Sequence, residues 1–218
     1  MNQRAFIFDL DGVIVDTAKY HYLAWQKIAN RLGIDFTHEH NEQLKGVSRV
    51  RSLDLILELG NIEATQEDKD TWLAEKNEDY LGYIHRMSND EILEGVMPVL
   101  QYLKEKGQKI ALGSASKNAR PILEKVGLLH FFNAIVDGND VTNAKPDPEV
   151  FIRAAQMLGL PPKGAVVFED SVAGVQAANN AGMVSIGIGD AGVLHEAQYI
   201  FKDFTEITSD FLQTLVNT

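Results

Sequence analysis

The amino-acid sequence predicts an α/β protein with a doubly wound, parallel, Rossmann-like core sheet and an inserted all-helical domain. Short unbroken apolar runs recur along the chain, and each is typical of a strand buried on both faces of a parallel sheet. In the second part of the chain these runs alternate with helical patterns of about ten residues, which indicates βαβ units. The region after the first run contains helical patterns only, and it therefore predicts a separate helical insert.

The predicted elements divide the chain into two parts. The five predicted strands are residues 5–8, 109–113, 134–136, 165–168 and 184–188, and the helices between the later strands are residues 97–107, 118–126, 148–159 and 172–181. Three earlier helices, at residues 17–32, 50–59 and 66–87, have no convincing strand between them. We expect residues 16–87 to form a helical cap domain, and residues 1–15 and 88–218 to form the catalytic core.

Composition excludes several classes of function. The 218 residues include 31 Asp and Glu against 20 Lys and Arg, giving a formal net charge of −11, which repels a nucleic-acid backbone. There is no cysteine, so disulfides, thiolate metal sites and cysteine nucleophiles are excluded. No apolar run approaches the roughly 18 residues that span a bilayer. We expect a cytoplasmic protein without nucleic-acid or membrane partners, and a monomer, because a moving cap is easiest to accommodate that way.

Chemically active residues follow the predicted strands, at the edge where ligands bind in open α/β sheets. Four carboxylates gathered there would repel each other, and a divalent cation resolves that repulsion; oxygen ligands favour Mg²⁺. A lysine and hydroxyl groups beside the cation would form a pocket for a phosphoryl group, which an aspartate could accept as a nucleophile. The residues are Asp9 and Asp11 after the first strand, Ser114 to Asn118 after the second, Lys145 beyond the third, and Glu169 and Asp170 after the fourth.

These motifs, in this order, resemble those of the haloacid dehalogenase superfamily. The helical insert after the first motif is similar to the cap of its phosphoglucomutase-like branch. The stretches 11–17, 44–49 and 114–118, together with His21, resemble the β-phosphoglucomutase family more closely, and the likeness covers nearly the whole chain.

The resemblance implies a role for each matching residue. Asp9 would be the nucleophile and Asp11 the acid/base for the sugar hydroxyl, with Thr17 and His21, four residues apart on one helix face, coupling cap closure to Asp11. Mg²⁺ would be held by Asp9, the Asp11 carbonyl, Glu169 and Asp170, while Ser114 and Lys145 bind the transferring phosphate. The implied substrate-binding residues are Lys45, Gly46, Arg49, Lys76, Ala115, Ser116, Lys117 and Asn118.

The function implied is a phosphosugar mutase that converts β-glucose 1-phosphate to glucose 6-phosphate through an aspartyl-phosphate enzyme and a glucose 1,6-bisphosphate intermediate. Two alternatives stay open: a phosphatase of small sugar phosphates, and a metabolite-binding domain without catalysis. A G-x-G-x-x-G pattern at residues 187–192 does not indicate dinucleotide binding, because too little chain follows it for a second βαβ half.

Overall fold

The computed structural model describes residues 3–217 and contains one parallel six-stranded sheet. The strands are β1 (Ala5–Phe8), β2 (Lys109–Gly113), β3 (Ala134–Val136), β4 (Val166–Glu169), β5 (Val184–Ile188) and β6 (Tyr199–Phe201). Their order is β3-β2-β1-β4-β5-β6. Because the order reverses between β1 and β4, the loops after these strands flank the crevice in which such sheets bind ligands.

Helices cover the sheet and form most of the region between β1 and β2. In chain order they are α1 (Ala18–Arg31), α2 (His38–Glu42), α3 (Arg49–Leu59), α4 (Gln66–Ile84), α5 (Val96–Glu105), α6 (Ala119–Lys125), α7 (Glu149–Met157), α8 (Val172–Asn180) and α9 (Ser209–Asn217). The five predicted strands and the seven predicted helices are all present in the described residues, and their ends differ from the prediction by at most three residues.

The hydrophobic residues of the central strands are buried on both faces, as their unbroken apolar runs predict. Phe6 and Phe8 of β1 pack into one cluster with α5 and α6, while Ile7 packs into a second cluster with α7 and α8. A third cluster unites Trp25 and Ile28 of α1 with Leu53 and Ile56 of α3. Helices α1 and α3 therefore share an apolar cluster separate from the two that pack on the sheet, and a cap domain over residues 16–87 stays a prediction.

Three elements were not predicted. Strand β6 is an edge strand with partly exposed side chains, so it lacks the unbroken buried run of the other strands. Helix α2 has only five residues, and helix α9 closes the described chain. In residues 3–217 no helix combines the length and the apolar character that crossing a bilayer requires.

The two crossings between the helical insert and the core lie side by side. Val15 and Ile92 form an antiparallel bridge, and the Asp16 backbone N–H donates to the Glu91 carbonyl at 2.9 Å. The Glu91 carboxylate accepts from Lys19 Nζ at 2.6 Å and from the Tyr20 hydroxyl at 2.5 Å. The start of α1 is thereby held to the second crossing, and this fixes where the insert meets the sheet edge.

Candidate active site

The turn after β1 brings the first motif against the fourth. The Asp9 N–H donates to the Phe168 carbonyl of β4 at 3.0 Å. Gly12 has φ +78°, and a Cβ at this position would collide with the Asp170 carboxylate. The turn therefore requires glycine both for its backbone conformation and for the close approach of Asp170.

Lys145 joins two of the predicted acidic residues. Its Nζ lies 2.6 Å from Asp9 Oδ1 and 2.5 Å from Glu169 Oε1, and all three residues are buried. Burial alone would lower the pKa of Lys145, but Asp9 and Glu169 together raise it, so the lysine is held as a cation. Burial raises the pKa of Asp9 well above its usual range; Lys145 opposes this rise, and the neighbouring carboxylates add to it.

The crowded carboxylates fit a divalent cation with few protein ligands. Burial, and then Glu169, raise the pKa of Asp170 to about 7, so its charged form lacks sufficient compensation from the protein alone. Within residues 3–217 no three Asp, Glu or His side chains are arranged to hold a metal ion by themselves. Two carboxylates, Asp9 and Asp170, with the Asp11 carbonyl and waters would suit Mg²⁺, which keeps much of its hydration shell.

Glu169 is less available to a cation than its neighbours. One of its oxygens accepts from Lys145, while the other accepts from the Ser171 N–H and hydroxyl, both at 2.8 Å. Direct coordination by Glu169 would have to share the oxygen that already accepts from Lys145. Ser171 also caps α8, because its hydroxyl accepts from the Gly174 N–H at 3.1 Å.

Asp11 faces the helical insert instead of Lys145. Its carboxylate accepts a hydrogen bond from the Thr17 hydroxyl, and His21 Nε2 lies 3.8 Å from the same oxygen. Burial raises the pKa of Asp11, and the Thr17 hydrogen bond partly offsets this, so Asp11 can retain a proton. Thr17 stands at the N-cap of α1 but makes no capping bond, because its hydroxyl contacts Asp11.

His21 is fixed by a buried lysine. Lys76 Nζ lies 3.0 Å from His21 Nδ1, and the ring of Tyr80 lies 4.3 Å from that of His21. Burial, then Lys76 and Arg49, lower the pKa of His21 well below its usual value, so the imidazole is neutral. With Lys76 donating to Nδ1, the imidazole proton resides on Nε2, the nitrogen that faces Asp11.

A loop of the helical insert closes over the fourth motif. Lys45 Nζ lies 3.3 Å from Asp170 Oδ2 and 2.9 Å from Glu42. Gly46 has φ +71°, and a Cβ at this position would collide with the Ser171 hydroxyl. Lys45 and Gly46 therefore contact the core directly, and their predicted role in substrate binding stays a prediction.

One cavity of about 530 Å³ brings most of the predicted residues together. Thr17 and Glu169 do not line it; they contact residues that do. The predicted residues that line the cavity are Asp9, Asp11, His21, Lys45, Gly46, Arg49, Lys76, Ser114, Ala115, Ser116, Lys117, Asn118, Lys145 and Asp170.

The cavity wall also contains residues that the sequence did not single out as ligand contacts. Asn41 and Ser52 are buried polar residues of the insert that line it. Trp25 is buried and also lines the cavity, and Lys76 Nζ lies 4.9 Å from the centre of its ring. An amphipathic helix pattern does not separate a core position from a cavity wall, because both are apolar.

Comparison with known proteins shows where this arrangement occurs. Residues 3–182 match the family model of the haloacid dehalogenase-like hydrolases. A β-phosphoglucomutase of Bacillus subtilis is 39% identical over 211 residues, covering 96% of this chain and 93% of the relative. A fructose-1-phosphate phosphatase of Escherichia coli, YqaB, is 32% identical over 182 residues, covering 84% of this chain and 94% of the relative.

The fold is shared with solved structures over the whole chain. The crystal structure of a β-phosphoglucomutase from Clostridium difficile superposes with a TM-score of 0.94 at 40% identity, covering 99% of this chain and 98% of that one. The family match agrees with the order of the four motifs and with the sheet that carries them. This chain belongs to the haloacid dehalogenase-like hydrolase family.

Proposed function

We propose that this protein is a Mg²⁺-dependent phosphosugar mutase that converts β-glucose 1-phosphate to glucose 6-phosphate. The observation that carries the proposal is the composition of the cavity, which is lined by two sets of anion-binding groups. Ser114 and Lys145, beside the Asp9 carboxylate, form the first set, and Arg49 with residues 116–118 forms the second. A substrate that carries two phosphates during turnover needs both sets, whereas simple hydrolysis needs only the first.

In the proposed reaction Asp9 accepts a phosphoryl group. The Asp9 carboxylate attacks the phosphorus of the bisphosphate, the bond between phosphorus and the sugar oxygen breaks, and the pair of electrons stays with that oxygen. Lys145 and Ser114 compensate the charge on the phosphoryl oxygens. Asp9, Asp170 and the Asp11 carbonyl would hold Mg²⁺, which would supply further positive charge to compensate that of the phosphoryl group.

Asp11 is the proposed acid/base at the sugar oxygen. Its raised pKa allows it to hold a proton and give it to the departing oxygen, and to take it back when the sugar hydroxyl attacks the phosphorylated Asp9. The Thr17 hydroxyl donates to its carboxylate from the side of the insert, and the neutral His21 stands 3.8 Å from the same oxygen. Thr17 is the N-cap of α1 and His21 lies in its first turns, so both neighbours of Asp11 come from the start of this helix.

A phosphatase acting on sugar phosphates is the second candidate, and the similarity to the Escherichia coli phosphatase favours it. Water would then attack the phosphorylated Asp9. A domain that binds metabolites without catalysis is the weaker alternative, because Asp9, Asp11 and Lys145 are all present and adjoin one another.

A phosphorus NMR time course distinguishes the candidates. The protein is mixed with β-glucose 1-phosphate, Mg²⁺ and a trace of β-glucose 1,6-bisphosphate, and α-glucose 1-phosphate serves as the anomer control. We expect the β-anomer signal to be replaced by glucose 6-phosphate without inorganic phosphate. Release of inorganic phosphate in step with substrate loss would establish the phosphatase, and tight binding without turnover would establish the binding domain.

A further inference from the structure

Helix α4 of the insert contacts the core loop after β2 through Asn77. Its side-chain Oδ1 accepts a hydrogen bond from Asn118 Nδ2 at 3.0 Å. The two residues are 41 positions apart in the sequence, and both are partly buried. Asn77 does not line the cavity, whereas Asn118 does. Any effect of Asn77 on a ligand in the cavity must therefore act through a residue such as Asn118.

The side chain of Asn118 makes this contact instead of capping the helix that follows it. It stands at the N-cap of α6, a position where asparagine normally accepts a hydrogen bond from the first turn. Its side chain makes no capping bond there. Its backbone is held separately, because its N–H donates to Ser116 Oγ at 3.2 Å. The amide is thus left to reach the insert while the loop beneath it stays fixed.

The same turn of α4 also contacts the acid/base side of the cavity. Lys76, the neighbour of Asn77, lies 3.0 Å from His21 Nδ1, and His21 Nε2 lies 3.8 Å from Asp11. Two adjacent residues of one helix therefore connect to the loop at residues 116–118 and to the proposed acid/base. The second phosphate of the substrate and the proton donor are linked by a single rigid element.

We propose that Asn77 is a positioning residue for the second phosphate of the phosphosugar, an inference that rests on the proposed function. By accepting from Nδ2, Asn77 fixes the orientation of the Asn118 amide. The same nitrogen carries a second hydrogen, which a phosphate oxygen can accept. Without Asn77 the amide can turn its oxygen towards the phosphate, and two acceptors would then face each other.

A double-mutant cycle tests this role. The Michaelis constant for β-glucose 1-phosphate is measured in Asn77→Ala, in Asn118→Ala and in the double variant. Loss of one neutral hydrogen bond predicts that Asn77→Ala raises KM about 3- to 10-fold, with a smaller change in kcat. In the Asn118→Ala background the same change should have no further effect on KM, since Asn77 acts through Asn118. The proposal would be overturned if the two single-variant effects on KM multiply in the double variant, or if KM is unchanged in Asn77→Ala.

Two controls separate positioning from folding. Glu78→Ala alters an exposed neighbour on α4 and should leave KM and the melting temperature unchanged. β-Glucose 1-phosphate would place its own phosphate in the second set while its hydroxyl attacks phosphorylated Asp9, whereas p-nitrophenyl phosphate offers only the phosphate that Asp9 attacks. The KM for p-nitrophenyl phosphate should therefore change less in Asn77→Ala than the KM for β-glucose 1-phosphate. An equal rise for both substrates would mean that Asn77 only supports the fold, and would overturn the proposal.

The test also works if the protein proves to be a phosphatase. In that case the wild-type protein releases inorganic phosphate, and the mutase proposal fails. The same cycle is then run on phosphate release from glucose 1,6-bisphosphate and from p-nitrophenyl phosphate. A coupled, bisphosphate-specific rise in KM would still support Asn77 as a positioning residue, and equal or uncoupled effects would overturn it.

Discussion

Replacing Lys76 by methionine tests the electrostatics at the centre of the helical insert. Lys76 is 2% exposed, and its Nζ contacts His21 Nδ1 at 3.0 Å. The rings of Trp25 and Tyr80 lie 4.9 and 4.6 Å from Nζ, measured to their centroids. Within residues 3–217 no carboxylate forms an ion pair with this nitrogen. A charged lysine at this position therefore loses most of its hydration and gains no anion in direct contact.

The size and sign of the effect follow from the pKa. Burial, and then Arg49, lower the pKa of Lys76 from 10.5 to about 7, with a partial offset from Asp11. Between these two pH values the unfolded chain binds one more proton than the folded protein, so the free energy of unfolding rises with pH across this window. At about 1.4 kcal/mol per pKa unit, the full penalty is at most about 5 kcal/mol, and it is present below pH 7.

Urea unfolding from pH 7 to pH 9.5 measures this penalty. Lys76→Met should be more stable than the wild type by the largest margin at pH 7, and the margin should shrink by up to about 3 kcal/mol at pH 9.5. Lys163→Met, at an exposed lysine, controls for the change of residue type. Losing the His21 hydrogen bond adds an offset that does not depend on pH. A difference between Lys76→Met and wild type that stays constant over this range would show that folding does not lower the pKa of Lys76.

Three further predictions concern the site itself. Gly46→Ala should lower the free energy of unfolding more than Gly33→Ala does. Both positions have φ +71°, which costs about 1–3 kcal/mol for alanine. Only at Gly46 would the added Cβ also collide with a neighbour, the Ser171 hydroxyl. Lys145→Met should lower the free energy of unfolding by about 3–5 kcal/mol, because two buried carboxylates lose their cation; urea unfolding without added Mg²⁺ that matches wild type would contradict this. Chelation of divalent cations should abolish turnover and added Mg²⁺ should restore it, as followed by NMR; full activity in chelator would exclude the metal.

The strands and the order of the motifs could be predicted from the sequence because they depend on local patterns. A strand such as Ala5–Phe8 is buried on both faces, so all of its residues are apolar and the sequence pattern predicts it. Strand β6 could not be found in this way, because an edge strand such as Tyr199–Phe201 is partly exposed. Helix α2 is too short for a helical period to be visible.

The contacts within the site depend on three-dimensional proximity, which the sequence does not display. Lys145 is 136 residues from Asp9 in the sequence, and only the folded sheet brings its Nζ to 2.6 Å from that carboxylate. The burial of Lys76 and the contact between Asn77 and Asn118 both depend on how the helical insert packs. The sequence motifs and their family resemblance predicted a role for Lys145, Lys76 and Asn118 but not for Asn77. They could not predict which residues each of the four contacts.

The central claim is that Asp9 accepts the phosphoryl group in a site completed by a divalent cation. Its most direct test is to mix the protein with β-glucose 1,6-bisphosphate and Mg²⁺, reduce the trapped acyl phosphate with borohydride, and locate the modified residue by mass spectrometry. We expect modification at Asp9, dependent on Mg²⁺ and absent from Asp9→Asn. Modification of a different residue, or turnover by Asp9→Asn, would contradict it.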